Sequence, residues 1–214
     1  MKKRFISMLL VLAVLVAAFP SSNVEAASRT KKKAYKAYYK WMKSDEMKIS
    51  DYREEKFNKF KLVDLDNDKI PELIALYEDR VGTDVNTYAI CTFDGKKVNS
   101  IKVCSGVAGA GGFRGSVSYI PKKGKIAAYS MSSGTGSSYD TYYKIKQGKI
   151  VITHTLTMER TFYPQQTETY KVNKKVVSKS KFEKTEKKIY ASKKSVNFDK
   201  LKFISKKKML KKLK

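Results

Sequence analysis

Helical spacing governs the apolar positions in the first polar part of the chain. Ala34, Tyr35, Tyr38, Tyr39, Trp41 and Met42 recur at three- and four-residue intervals with lysines between them. This predicts a helix over 28–43 whose aromatic stripe docks on a sheet. Residues 44–56 are polar and mixed in charge, as suits a connection or a second short helix. From Phe60 onward, short apolar runs of strand length take over. Runs at 60–63 and 73–77 flank an acidic stretch, and those at 85–93 and 98–103 flank Asp94-Gly95. Further pairs at 116–120 and 125–130, 139–145 and 149–155, and 169–172 and 175–177 surround Pro121–Gly124, Gln147-Gly148 and Asn173-Lys174. Tandem short strands separated by such turns make hairpins, not alternating βαβ units. Ser180 and Glu183 have capping-box spacing and open a helix carrying Phe182, Ile189 and Tyr190 on one face.

The expected fold class is therefore α+β, mostly β: an antiparallel meander sheet with an N-terminal helix and C-terminal helical segments. Its last segment, 198–214, sets Leu201, Phe203, Ile204, Met209, Leu210 and Leu213 among lysines. Such a segment either packs as a terminal helix or lies on an anionic surface by its basic amphipathic character.

The chain's first residues alter where this fold is expected to work. Lys2, Lys3 and Arg4 precede an almost unbroken apolar run from Ile6 to Phe19, and Pro20-Ser21-Ser22-Asn23 then interrupts any helix. Val24 and Ala26 stand at −3 and −1 of a cut before Ala27. That is the layout of a secretory signal, and the run falls short of the roughly 20 residues that cross a bilayer. No Cys follows it to carry a lipid. The expected organisation is a signal peptide at 1–26 and a single mature domain at 27–214, with a helical lead-in (27–58), a sheet region (59–178) and a basic helical tail (179–214). The expected location is extracellular, with retention at the cell surface, and no integral membrane span in the mature chain.

Charge narrows the partners. The chain carries +26, and loss of Lys2, Lys3, Arg4 and Glu25 with the signal leaves +24. An excess of that size favours association with anionic cell-wall polymers or an anionic membrane surface, while saying little about specificity. Nucleic acid fits the charge, but no recognised nucleic-acid module accompanies it. Two cysteines in an exported chain invite a bridge. A two-residue turn at Asp94-Gly95 would place Cys91 opposite Val98, with Cys104 roughly 20 Å further along, beyond disulfide reach. Two buried thiols are expected.

One stretch has chemistry in it. Asp64-Leu65-Asp66-Asn67-Asp68-Lys69-Ile70-Pro71-Glu72 gathers four carboxylates, in a chain with only 20 acids among 214 residues. In a plain strand these acids would share one face and repel. A loop wrapped around a hard cation removes the conflict, since Ca²⁺ takes six to eight oxygens at about 2.3–2.6 Å. The pattern resembles the D-x-D-x-D-G-x-x-D/E-L loop of calcium-binding β-hairpins of the FG-GAP, VCBS and integrin-type blades. That resemblance implies Asp64, Asp66, Asp68, the carbonyl of Ile70 and Glu72 as ligands of a structural Ca²⁺. The EF-hand loop shares the first half, but needs a Glu where Ala75 stands and helices on either side. Lys69 replaces the usual Gly at a position tending to φ > 0, at a cost of about 1 kcal/mol. Weak binding, with a Kd of roughly 10⁻⁴–10⁻³ M, is the expectation.

Across most of 30–190 the chain also resembles uncharacterised secreted proteins of clostridia-like Gram-positive bacteria. The likeness lies in the aromatic first helix, FKLVDLDNDKIPELIALYED, TFDGKKV, a Gly-rich stretch, YYKIKQGKI and YKVNKKVVSKSKFEK. It implies no activity.

Enzyme signals are thin. Gly106, Gly109, Gly111 and Gly112 lack the Lys-Ser/Thr of a P-loop. The Ser- and Gly-rich 130–138 lacks a G-x-S-x-G elbow. His154 is the only histidine, which excludes His-based zinc sites. A hydrolase would need it to meet Ser132 or Ser133 and Asp140 in space. The sequence favours a non-enzymatic, calcium-binding, surface-associated module. The alternatives are an enzyme acting on cell-wall polymers through a cleft along the Gly/Ser-rich loops, and a non-specific polyanion or nucleic-acid binder.

Overall fold

A computed structural model describes residues 30–50, 53–78, 84–109, 112–189 and 194–214. The expected signal segment, and Tyr190 of the second helix, lie outside the described residues.

Helix α1 (Lys31–Trp41) starts where Thr30 Oγ1 accepts the Lys33 amide, 3.2 Å, and buries Ala34, Tyr38 and Trp41. A 3₁₀ turn (Asp45–Met47) follows, then a small hairpin of β1 (Lys48–Ser50) and β2 (Arg53–Lys56). This hairpin takes the place of the expected connection or short helix. It is tied off by buried Met47, whose carbonyl accepts the Phe57 amide. Mixed-charge residues give no period from which to read it.

The remaining strands form one antiparallel sheet of twelve. In chain order they are β3 (Lys59–Val63), β4 (Glu72–Glu78), β5 (Asp84–Phe93), β6 (Val98–Val107), β7 (Phe113–Ile120), β8 (Lys125–Ser132), β9 (Ser137–Lys146), β10 (Lys149–Thr161), β11 (Thr167–Val172) and β12 (Lys175–Val177). Each pairs with the next, as a meander requires. Two short late strands complete it: β13 (Val196–Asn197) on β7 and β14 (Ile204–Ser205) on β3. Helices α2 (Lys179–Ile189) and α3 (Lys206–Lys212) lie in the C-terminal part. Ser178 caps α2, its hydroxyl accepting the Lys181 amide, so the start lies before the expected Ser180. Among the described residues no helix is long and apolar enough to cross a membrane.

The meander folds back on itself at β6–β7. These strands pair only at Gly106–Gly115 and Val107–Arg114, and Gly106 has φ +117° with a Cβ position 1.9 Å from the Asp84 carbonyl oxygen, so only glycine fits. The two halves of the sheet stack. Between them lie Leu65, Ile74, Leu76, Tyr88, Ile90 and Val103 from one half, with Val117, Tyr119, Ile126 and Ile145 from the other. Alternation sends Leu73, Ala75, Ala89 and Cys91 to the opposite face of the first half, against α1 and against Met209 and Leu213 of the C-terminal segment. On the outer face of the second half, Tyr142 and Leu156 pack against Phe182 of α2. The layers run helix, sheet, sheet, helix.

The C-terminal segment closes the seam. Phe198 is fully buried, its ring edge-on to Tyr88 and Tyr119 at 5.6 and 5.4 Å. Asp199 accepts from the Tyr88 and Ser105 hydroxyls, and burial followed by Asp199 raises the Tyr88 pKa. Residues 198–214 thus take the packing alternative: their buried side chains (Phe198, Met209, Leu213) face the two cores and cannot insert elsewhere without unfolding.

The cysteine register differs from the expected one. Asp94–Lys97 forms a four-residue turn, so Phe93 faces Val98, Cys91 faces Ser100 and Cys104 faces Thr87. Asp94 causes the lengthening by accepting the amides of Lys96 and Lys97 at 2.9 Å. Those bonds and the Asn99 amide hold its carboxyl down at about 2 against the opposing effect of burial. Both thiols are free, Cys91 fully buried and Cys104 half-buried.

Candidate metal centre

Strand β3 ends at Val63, which pairs directly with Glu72 at the start of β4. Residues 64–71 must therefore loop out and return to the same point. Short acidic side chains make this possible by replacing backbone partners. Asp64 Oδ1 accepts the Asn67 amide at 2.8 Å and Oδ2 the Lys69 amide at 3.3 Å. Asp66 Oδ1 accepts from Asp68 N at 3.3 Å, and Asp68 Oδ1 from Ile70 N at 2.8 Å. Asn67 and Lys69 adopt φ of 70° and 68°. Lys69 thus occupies the left-handed conformation expected of it, and its side chain is exposed.

Three anchors fix the loop to the core. Leu65 is 0% exposed and inserts between the stacked half-sheets. The Leu65 carbonyl accepts the Gly124 amide at 2.8 Å, while Gly124 O accepts from Ile145 N, so the turn before β8 and the end of β9 buttress the loop. Gly124 has φ +61°, and a Cβ there would meet the Asp66 Cβ at 2.9 Å. The third anchor is Glu72, whose Oε2 accepts the Leu65 amide at 2.8 Å.

Glu72 is 1% exposed. Burial, reinforced by the charges of Asp66 and Asp68, pushes its carboxyl up to about 9 against the lowering effect of the Leu65 amide. Oxygen atoms of Asp64, Asp66 and Glu72 all lie within 4.8 Å of one another. Two oxygens bound to one Ca²⁺ sit at most about 5 Å apart, twice a Ca–O bond, so these three carboxylates fit a shared calcium ion. Asp68 stands outside this set, although its charge reaches Glu72. The Ile70 side chain is buried in the core behind the loop.

Other sequence candidates fare differently. Arg114 Nη1 donates to the Ala108 carbonyl at 2.7 Å, and the Ser133 hydroxyl to the Gly112 carbonyl at 2.6 Å. The described glycine and serine loops are thus tied to each other by backbone acceptors. Ser132 faces Ser137 at one end of β9, whereas His154 faces Tyr142 five residues along it. That separation is roughly 17 Å, so Ser132, Asp140 and His154 do not form a triad. Sequence reasoning missed Gly124, whose surrounding Pro-Lys-Lys-Gly signals only a turn. It also missed Asp199, an isolated acid in a lysine-rich tail. Comparison with protein-family models, curated proteins and solved structures finds no match to this chain.

Proposed function

We propose that this chain is an exported β module whose acidic hairpin loop holds a structural Ca²⁺, and whose positive charge keeps it near anionic polymers or lipids of the cell surface. The supporting observation is the convergence of Asp64, Asp66 and Glu72 oxygens within 4.8 Å, in a chain of net charge +26. Calcium would neutralise this cluster and bridge the two ends of the loop, which is a stapling role rather than a catalytic one. A low affinity suffices where the cation is plentiful. The wall or membrane association rests on charge alone, and it predicts release by salt as screening shortens the reach of the lysines.

Calorimetric titration of the purified protein with Ca²⁺, against an Asp64→Ala/Asp66→Ala variant, tests the metal. Saturable heat in the parent and none in the variant is the expected result; identical traces rule the loop out. Expression in a Gram-positive host tests export: the mature product in the medium or wall fraction starts at Ala27, and a cytoplasmic product that keeps Met1–Ala26 overturns the assignment.

A further inference from the structure

On the outer face of the second half-sheet, α2 and the strands beneath it border a cleft of about 750 Å³, within the range of small-molecule sites. Five lysines line it: Lys125 and Lys144 from the sheet, and Lys181, Lys184 and Lys188 from the helix. The helix contributes them at three- and four-residue intervals, so they form one stripe facing the cleft. The sheet contribution is stranger. Lys125 and Lys144 are direct cross-strand partners, an arrangement that like-charge repulsion disfavours. None of the five forms an ion pair with a described residue. Among the described residues no acid lines the cleft. Asp140 and Glu186, the acids that interact near this helix, do not line it.

The floor is irregular in a way that re-aims side chains. Strand β10 shifts register between Ile152 and His154, and bulges of this kind recur beside binding sites. Thr153 and His154 both reach the cleft. His154 Nδ1 is buried and has no hydrogen-bond partner among the described residues. The lining also includes Tyr142 and Ile189 from the core under α2.

The geometry points to this cleft as a binding site for an organic phosphate, a phosphoester joined to a ring or other apolar group. Five lysines around one cleft suit a dianion with three terminal oxygens, and Tyr142 and Ile189 supply apolar surface for the ester group. The cleft uses none of the acidic loop's own residues, although Lys125 and Lys144 adjoin Gly124 and Ile145, which buttress that loop.

The probe is phenyl phosphate, titrated into the purified protein at about 0.15 M salt to screen diffuse charge, with excess chelator to remove calcium. Saturable binding is expected, tighter than for inorganic phosphate or for benzoate. A Lys144→Gln/Lys184→Gln/Lys188→Gln variant should lose at least about tenfold in affinity. A Lys36→Gln/Lys200→Gln/Lys208→Gln variant, equal in charge but with none of the cleft lysines, should lose less than about twofold. Melting temperatures within a few degrees of the parent establish that both variants are folded. Non-saturable binding, equal losses in the two triple variants, or an unaffected cleft variant each overturns the site. Benzoate binding as tightly as phenyl phosphate overturns the phosphate, and inorganic phosphate doing so overturns the ester group. A calcium titration that fails leaves these outcomes untouched.

Discussion

The acidic loop and the lysine cleft concentrate opposite charges by opposite means. In the loop, carboxylates lie in and beside the core, with Glu72 at 1% exposure and Leu65 anchoring the turn beneath it. The cleft instead leaves most of its lysines in solvent around an open space. Buried like charges are expensive, because the low-dielectric interior does not screen them. The loop offsets that cost by using its carboxylates as backbone acceptors, and burial pushes the Glu72 carboxyl up to about 9. Exposed lysines repel only weakly and can be left unpaired. Stability should therefore be sensitive to the loop and nearly indifferent to the cleft, whereas anion binding should show the reverse.

Substitutions that break the comparison fall in a clear order. Leu65→Ala empties a fully buried position between the half-sheets and should cost about 2–5 kcal/mol, read by chemical denaturation. It should also abolish calcium binding, since the loop loses its anchor. Next comes calcium itself. For a Kd of about 10⁻³–10⁻⁴ M, about 10 mM Ca²⁺ should stabilise the parent by about 1.4–2.7 kcal/mol. That is a rise of roughly 3–10 °C in melting temperature, and Asp64→Ala/Asp66→Ala should show none.

Smaller effects sharpen it. Lys69→Gly relieves a left-handed residue at φ 68° and should stabilise by up to about 1 kcal/mol. Calcium affinity should rise with it, since an ammonium leaves the loop; a calorimetric titration that gives a weaker site contradicts this. Smallest is Lys144→Gln, which removes the repulsion with Lys125. It should raise stability by a few tenths of a kcal/mol while lowering phenyl phosphate affinity. A loss of stability there would mean that the two lysines are held together by packing that the cleft needs.

Most strands were legible because each apolar run ends at a turn residue whose conformation is locally determined. Gln147-Gly148 and Asn173-Lys174 adopt positive φ at the hairpin tips, as such turns demand. The Asp94 turn was misread by two residues because the side chain's choice of amide partners, not the Asp-Gly pair, sets the loop length. The hairpin at 48–56 was hidden because mixed-charge residues carry no burial pattern. The candidate loop was visible through its acids, yet which three of them bring oxygens within 4.8 Å was not.

Local pattern was enough for most of the elements, their antiparallel order and the acidic loop, because period, turn chemistry and local charge act over a few residues. The tertiary structure alone decided that the meander folds over at Gly106, that Phe198 and Asp199 close the seam, and that Gly124 supports the loop from a turn some sixty residues on. It also brought the lysines of β8 and β9 beneath those of α2. These arrangements depend on which faces bury each other across long separations, and no local pattern encodes that pairing.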